Sequence, residues 1–401
     1  MMKKKIVFVM KLMAGGGAER VISLLTSQCV KRSFDVNLLL THQSLADADL
    51  TNIDSNVDVI SVLDEAAEIS YSKASEQLCL LISRVIGKFS KLFKSQRMLD
   101  KSLVLKYLAS NFRCISYMRR YFKQHKNSTV VAFLYDSIFY SLLSVTKSNK
   151  LIISERGDPC QSLASKTTMA FLKNEFHKAD GFVFQSPDVR QWYEDNTKVR
   201  GTVIFNPIKN GLPEPYFGER RKSIVNFCRI NPQKNLLLLL DAFELFSESY
   251  PDYELHIYGD ASTESDIQYF ETVKEKRESL KSKDRVFFFP ASRDIHRVIR
   301  DYSMFVSSSD FEGMSNSMLE ALALGLPCVC TDCPAGGARA VIKDEENGLL
   351  VPVNDPFSLA EAMKRIVSEK DLSEKLSENA VKIREEQSLE KIIEKWMEII
   401  E

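Results

Sequence analysis

The sequence predicts an α/β protein with two Rossmann-like domains, each built on a parallel sheet. Short apolar runs that are typical of buried strands alternate with stretches in which apolar residues recur at helical spacing. A segment rich in proline and glycine, residues 205–215, separates two such series and predicts an interdomain linker. The chain has 401 residues, enough for two domains with a core each.

Composition excludes several classes of protein. With 44% apolar and 27% charged residues the chain is typical of globular proteins, and its zero net charge argues against a nucleic-acid partner. Eight cysteines without a secretory signal indicate a reducing, cytoplasmic environment. Because no run of eighteen apolar residues occurs, we expect no membrane-spanning helix.

The first half predicts one doubly wound domain. Its strand candidates are residues 5–10, 35–40, 57–63, 130–135, 151–155, 181–185 and 202–205. A glycine loop that ends at Gly16 and Gly17 separates the first strand from a helix, an arrangement whose backbone N–H groups can approach a phosphate. A simple tight turn is an equal alternative for this loop.

A strongly basic helical insertion is predicted at about residues 66–126. Residues 83–126 contain twelve lysines and arginines but only one acidic residue, Asp100. One interpretation is binding to an anionic membrane surface through these basic helices. The other is an amphipathic helix that packs its apolar stripe on the domain core and leaves its cations in solvent. The sequence leaves both open.

The second half predicts another α/β unit, with strand candidates at residues 223–227, 254–259, 286–289, 304–309 and 326–331. Cys328, Cys330 and Cys333 suggest a metal site at first sight. Cys328 and Cys330 point to one face of an apolar strand, however, and no fourth ligand is near in sequence. We therefore predict structural packing and no metal.

Two carboxylates eight positions apart surround a predicted helix start. Glu312 follows the strand at residues 304–309, at the edge where open α/β sheets bind ligands. Glu320 falls early in the helix, which Gly325 and Pro327 end. Ser317 and Glu320 also fit a capping box, which is the structural alternative for Glu320.

Two cations follow another strand. Arg229 and Lys234 come after residues 223–227 and before an apolar helical run. Arginine can contact two phosphate oxygens at once and lysine acts as a point charge, so the pair suits a pyrophosphate.

In their order and spacing, Glu312, Glu320, Arg229, Lys234 and the glycine loop resemble the nucleotide-sugar site of the retaining glycosyltransferases of family four, the glycosyl transferases group 1 of bacterial surface-polysaccharide type. The resemblance spans nearly the whole chain. It implies the GT-B fold, in which two Rossmann-like domains face each other across a cleft.

The resemblance also implies roles for single residues. Arg229, Lys234 and Glu312 are the implied catalytic residues, with Glu312 at the donor sugar and Glu320 at the ribose. The implied donor-binding residues are Gly16, Gly17, Arg229, Lys234, Glu312, Ser315, Asn316, Ser317 and Glu320. Arg156 and Asp158 stand where many relatives carry a histidine, and either could bind substrate on the acceptor side or pair with the other at a turn before Pro159.

The implied function is metal-independent, cofactor-free transfer of a sugar from a nucleotide-sugar, most simply a UDP-sugar, to a saccharide or polyprenyl-linked glycan, in surface polysaccharide or lipopolysaccharide assembly. We expect a peripheral location on the inner face of the cytoplasmic membrane.

The expected domains are residues 1–206 (acceptor side), 207–384 (nucleotide-sugar side) and a helix at 385–401 that crosses back to the first domain. A nucleotide-sugar epimerase and a catalytically silent sugar-nucleotide-binding subunit remain alternatives.

Overall fold

The computed structural model describes residues 3–13, 16–68, 81, 85, 108–162 and 172–401. The chain divides into two compact units. The first comprises Met1–Phe184, Arg190–Ile204 and Lys395–Glu401, and the second comprises Gln185–Val189 and Phe205–Glu394. Each unit is organised around one parallel sheet. Two Rossmann-like domains with parallel sheets were predicted, and this prediction is confirmed.

The first sheet has seven parallel strands in the order β3-β2-β1-β4-β5-β6-β7. They are Lys5–Met10 (β1), Asp35–Leu40 (β2), Asp58–Ser61 (β3), Thr129–Phe133 (β4), Lys150–Glu155 (β5), Gly181–Phe184 (β6) and Thr202–Val203 (β7). Val7, Phe8 and Val9 are fully buried, as expected for a sheet covered on both faces.

Helices of the first half connect these strands. They are Gly17–Lys31 (α1), Val62–Glu68 (α2), Phe112–Gln124 (α3), Leu134–Ser144 (α4), Pro159–Ser162 (α5) and Pro187–Thr197 (α6). In α3, Met118, Tyr121 and Phe122 are buried while Arg119 and Arg120 are exposed. Most of the predicted basic insertion, including residues 86–107, lies outside the described residues.

The second sheet has six parallel strands in the order β10-β9-β8-β11-β12-β13. They are Arg221–Phe227 (β8), Glu254–Tyr258 (β9), Val286–Phe289 (β10), Tyr302–Ser307 (β11), Cys328–Thr331 (β12) and Leu349–Val351 (β13). The helices after β8 are Leu236–Ser247 (α7), Glu264–Glu278 (α8), Ile295–Ile299 (α9), Asn316–Ala323 (α10), Pro356–Ser368 (α11), Lys370–Ala380 (α12), Ile383–Glu386 (α13) and Leu389–Ile400 (α14).

Strand order places a topological switch point in each sheet. In the second sheet the chain runs outward from β8 through β9 to β10, and then returns to β11 on the other side of β8. The helices that follow β8 and β11 therefore pack in different cores on opposite faces of the sheet, and the loops before them start at neighbouring strand ends. Such a point is where open α/β sheets form a ligand-binding crevice.

Several strand predictions need correction. The predicted strand at residues 130–135 ends at Phe133, because Leu134 and Tyr135 already belong to α4. The predicted strand at residues 57–63 is shorter, because β3 ends at Ser61 and its hydroxyl accepts a hydrogen bond from Asp64 N at 3.0 Å, which fixes the start of α2. Val62 and Leu63 are therefore helical. We did not predict β13, whose three residues are too few for a periodicity to appear.

The cysteines of β12 are packing residues. Cys328 and Cys330 are buried in the apolar core of the second unit, next to Val225 and Phe305. Burial raises the pKa of both thiols above the ordinary value, so both stay protonated at neutral pH.

Candidate functional site

Two loops at the switch point of the second sheet bring the predicted cations and carboxylates together. Residues 228–235 follow β8, and residues 308–315 follow the neighbouring strand β11 and lead into α10. Parallel neighbours end at the same edge of a sheet, so the two loops meet there. We call residues 228–235 and 308–320 the switch-point site.

Lys234 and Glu312 form an ion pair across the two loops. Lys234 Nζ donates to Glu312 Oε2, and the two side chains are only 15% and 18% exposed. Burial by itself opposes the charge on Lys234, but the facing carboxylate of Glu312 outweighs it, so the pKa of Lys234 is raised above its usual value. Lys234 therefore carries its positive charge at neutral pH.

Polar contacts hold the two loops in register. Asp310 N donates to Gln233 O at 3.0 Å, and Gln233 Nε2 donates back to Phe311 O at 2.8 Å. Asn235 Nδ2 donates to Asp310 Oδ1 at 2.6 Å, and its own Oδ1 accepts from Leu238 N to cap α7. These bonds give the site a rigid frame made largely of backbone and amide groups.

Arg229 lies on the same loop as Lys234 and is exposed. We find no hydrogen bond or ion pair from its side chain to any other residue that the structure describes. A guanidinium has five N–H donors, so Arg229 offers this capacity to an incoming anion.

The start of α10 differs from the capping-box alternative. Ser315, not Ser317, is the N-cap, because Ser315 has an extended backbone and its hydroxyl accepts from Met318 N at 3.4 Å. Asn316 and Ser317 are the first two helical residues. Their backbone N–H groups lie at the helix start, where N–H groups lack partners within the helix and the dipole favours an anion.

Glu320 is one turn further along α10 and is buried. The capping box, which was the structural alternative for Glu320, is absent, because the third helical position is Met318 rather than Glu320. Instead Glu320 Oε2 accepts a hydrogen bond from His296 Nε2 at 2.7 Å. Sequence reasoning missed His296, which stands in the short helix α9.

The loop that contains Gly336 and Gly337 packs against residues 313–314, in the second loop of the site. A Cβ on Gly337 would lie 1.5 Å from Gly313 O, so this close backbone approach requires glycine. On the other side Asn206 Nδ2 donates to Met314 O at 3.2 Å and to Asn316 Oδ1 at 2.9 Å. Both contacts fix residues 313–316, and Asn206 is a second residue that sequence reasoning missed.

Gly16 and Gly17 belong to the other unit, at the carboxyl end of β1. Gly16 is the N-cap of α1 and contributes no side-chain hydrogen bond, and Gly17 is the first helical residue. At this helix start no N-cap side chain accepts a hydrogen bond from the backbone N–H groups. Their predicted role at the donor phosphates stays a prediction.

Arg156 and Asp158 also lie in the first unit, after β5. Arg156 is buried, its guanidinium carbon lies 5.3 Å from the ring centres of Phe133 and Trp396, and it donates to Ile204 O at 3.0 Å. Desolvation lowers its pKa to about 9. The guanidinium thus packs into the unit's interior.

Asp158 and Arg156, whose pairing was one of the two alternatives, bind different groups among the described residues. Its Oδ1 accepts from Cys160 N at 2.9 Å at the start of α5, as a turn former does. The neighbouring Glu155 is buried and accepts from the Tyr193 hydroxyl at 3.0 Å, and desolvation raises the pKa of this carboxyl. The acceptor-side role of Arg156 and Asp158 stays a prediction.

Comparison with known families supports the interpretation of the second unit. Residues 213–383 match the family model of the glycosyl transferases group 1. This region contains the whole switch-point site, together with His296 and Gly337.

Characterised and uncharacterised relatives share parts of the chain. An uncharacterized glycosyltransferase of Haemophilus influenzae is 27% identical over 45% of this chain and 49% of its own length. The UDP-Gal:alpha-D-GlcNAc-diphosphoundecaprenol alpha-1,3-galactosyltransferase of Escherichia coli is 29% identical over 46% of this chain and 49% of its own. An uncharacterized glycosyltransferase of Methanocaldococcus jannaschii is 23% identical over 69% and 78%. The match to the first two relatives thus spans about half of their length.

Solved structures share the fold over the full chain. HepE of Anabaena in complex with UDP has a TM-score of 0.74 at 16% identity, covering 98% of both chains. The lipopolysaccharide outer core galactosyltransferase WaaB has a TM-score of 0.70 at 17% identity, covering 99% of both. The chain therefore has the GT-B fold. In the part that the structure describes, no helix is both long and apolar enough to cross a bilayer.

Proposed function

We propose that this chain is a glycosyltransferase of group 1 that moves a sugar from a nucleotide-sugar, a UDP-sugar in the simplest case, to a saccharide acceptor. The observation that carries the proposal is the largely buried Lys234–Glu312 pair on the same loops as the exposed Arg229. These residues lie at a switch point inside the region that matches the family model. The names of the relatives favour a transferase over an epimerase.

The negative charge that develops on the leaving group gives Arg229 and Lys234 their proposed role. When the bond between the anomeric carbon and the phosphate oxygen breaks, negative charge develops on the leaving nucleoside diphosphate. Arg229 can contact two phosphate oxygens. Lys234, which its ion pair with Glu312 holds in place before the reaction, adds a point charge. We expect Ser315, Asn316 and Ser317 at the start of α10 to add polar and N–H donors for the donor.

Glu312 has two tasks in this proposal. It holds Lys234 charged and in place, and its acceptor-only oxygens can receive hydrogen bonds from sugar hydroxyls. We propose a retaining, metal-independent reaction. The acceptor oxygen bonds to the anomeric carbon on the face that the phosphate leaves, and the acceptor proton passes to the leaving phosphate oxygen. No protein nucleophile is then required.

A lipid-linked glycan is the acceptor we propose. Support comes from the Escherichia coli relative, a galactosyltransferase named for a diphosphoundecaprenol-linked sugar, and from a lipopolysaccharide 1,6-galactosyltransferase of the same species that is 31% identical over 38% of this chain. We further propose peripheral attachment to an anionic inner membrane surface through residues 83–126. In α3, the end of this stretch that is described, the exposed cations Arg113, Arg119, Arg120 and Lys123 are consistent with such attachment.

Acceptor dependence tests the proposal. The purified chain is incubated with UDP-glucose, UDP-galactose and UDP-N-acetylglucosamine, with and without a membrane extract that carries polyprenyl-linked glycans, and released UDP is measured. Release from one donor that requires the extract, with labelled sugar in the lipid fraction, supports the transferase. Interconversion of nucleotide-sugars without extract would instead identify an epimerase. If no UDP were released from any of the three donors, with or without extract, and UDP itself did not bind, the proposed function would be contradicted.

A further inference from the structure

His296 contacts the second carboxylate of the switch-point site. It stands on α9, and its Nε2 lies 2.7 Å from Glu320 Oε2, with both side chains only 9% exposed. The imidazole packs edge-on against Phe227, at 6.0 Å between ring centres and 87° between planes. The ring orientation is therefore set by two contacts from different elements, β8 and α10.

This hydrogen bond helps to restrict the rotation of the Glu320 side chain. A carboxylate only accepts, so His296 Nε2 carries the proton and donates it. A glutamate side chain has several rotatable bonds, and fixing it before a ligand arrives lowers the entropy lost on binding. A bond to a charged acceptor in a buried site is also stronger than one between neutral groups.

We infer that His296 is a positioning residue that holds the Glu320 carboxylate toward a vicinal diol, namely the ribose hydroxyls of the nucleotide. The inference rests on the proposed function and adds a residue that sequence reasoning did not find. His296 acts through Glu320 and does not touch the reacting atoms. Its loss should therefore weaken ground-state and transition-state binding of the nucleotide equally, raising KM and leaving kcat nearly unchanged.

Calorimetric titration with UDP, together with steady-state kinetics of the donor, tests this with three variants. His296→Phe keeps a ring against Phe227 but removes the donor, and His296→Gln restores an N–H donor. The matched control is His256→Phe, because His256 Nε2 makes a similar bond of 2.9 Å to Glu254 on β9, outside the switch-point site.

We expect His296→Phe to raise the Kd for UDP and the donor KM about tenfold, with kcat changed by less than about threefold. His296→Gln should recover most of the affinity, and His256→Phe should bind UDP as the wild type does. Equal losses in the Phe and Gln variants of His296, with an unchanged melting temperature, would overturn the inference, and so would wild-type affinity in His296→Phe.

A double-mutant cycle separates positioning from an independent effect. If His296 acts through Glu320, the double variant with His296→Phe and Glu320→Gln should bind UDP no more weakly than Glu320→Gln alone. Additive losses would overturn the inference. A wild-type chain that binds no nucleotide would contradict the proposed function itself, an outcome distinct from failure of the His296 variants alone.

Discussion

At the scale of single residues, the ion pair between Lys234 and Glu312 links stability to function. Both side chains are largely removed from water, and each compensates the charge of the other. Removing one partner of such a pair leaves the other charge buried without compensation, which costs more than the pair itself contributes.

We expect Lys234→Met to lower the free energy of unfolding by about 2 kcal/mol, because Glu312 loses its counter-charge. Urea unfolding measures this, with Lys222→Met as the control, since the Lys222–Asp252 pair is mostly exposed and should contribute no measurable stability. If the two substitutions had equal effects, burial would not strengthen the Lys234–Glu312 pair, which would contradict this account.

The same pair predicts a pH dependence. The pKa of Lys234 is raised above 10.5 in the folded state, so its contribution is fully present below pH 10.5 and is lost as the pH rises through the higher folded value. The stability difference between wild type and Lys234→Met should therefore be constant from pH 7 to about 10. A difference that already fades near pH 8 would contradict it.

The residue scale also shows what sequence can reveal of a site. Arg229, Lys234 and Glu312 each follow a recognisable strand, and the family resemblance placed them in one site; the structure shows the contact between Lys234 and Glu312. His296 lies 24 positions before Glu320 in sequence, in a helix of five residues. Nothing local marks it, because the contact depends on how α9 packs against α10.

At the scale of elements, close backbone packing shapes the switch-point site. The loop that contains Gly336 and Gly337 lies against Gly313, and only a hydrogen at the Gly337 Cα leaves room for the Gly313 carbonyl. The loop before α10 therefore takes its position from a loop that contributes no predicted ligand contact.

We expect Gly337→Ala to displace residues 313–315, lowering stability by about 1–3 kcal/mol and weakening UDP binding. Thermal unfolding and calorimetric titration measure the two effects. Gly157→Ala is the control, because its added Cβ would make only an ordinary contact of 3.6 Å with Glu155 Oε1. Unchanged UDP affinity in Gly337→Ala would show that this packing does not shape the site.

Elements were predicted best where apolar runs were long. The predicted bounds of β1, β2 and β10 match the structure, because largely apolar residues marked each of them. Helix starts were harder to locate, as two serines two positions apart could each cap α10. The backbone conformation decided for Ser315, and that conformation depends on tertiary contacts such as that of Asn206 with Met314.

At the scale of the whole molecule, the last residues of the chain pack in the same unit as the first ones. Lys395–Glu401, the last part of α14 and the terminal residue, belongs to the first unit. Trp396 is fully buried there and stacks on Phe133, with 5.5 Å between ring centres. Lys4 Nζ donates to Glu401 O at 2.9 Å. Composition and periodicity alone do not reveal such a return of the chain.

We expect Trp396→Ala to lower the free energy of unfolding of the first unit by about 3–5 kcal/mol, because a large buried side chain leaves a cavity. Denaturant unfolding measures this by circular dichroism. The control is Trp192→Ala, since Trp192, the other tryptophan of the chain, is only partly buried and should cost less. Equal costs would contradict the packing role of Trp396.

The central claim is that the switch-point site binds the diphosphate of a nucleotide-sugar. Calorimetric titration of UDP into the wild type, Arg229→Ala and the exposed-arginine control Arg200→Ala tests it most directly. The account predicts that the wild type and Arg200→Ala bind alike, whereas Arg229→Ala binds at least about tenfold more weakly with an unchanged melting temperature. Equal affinity in all three proteins would contradict the claim.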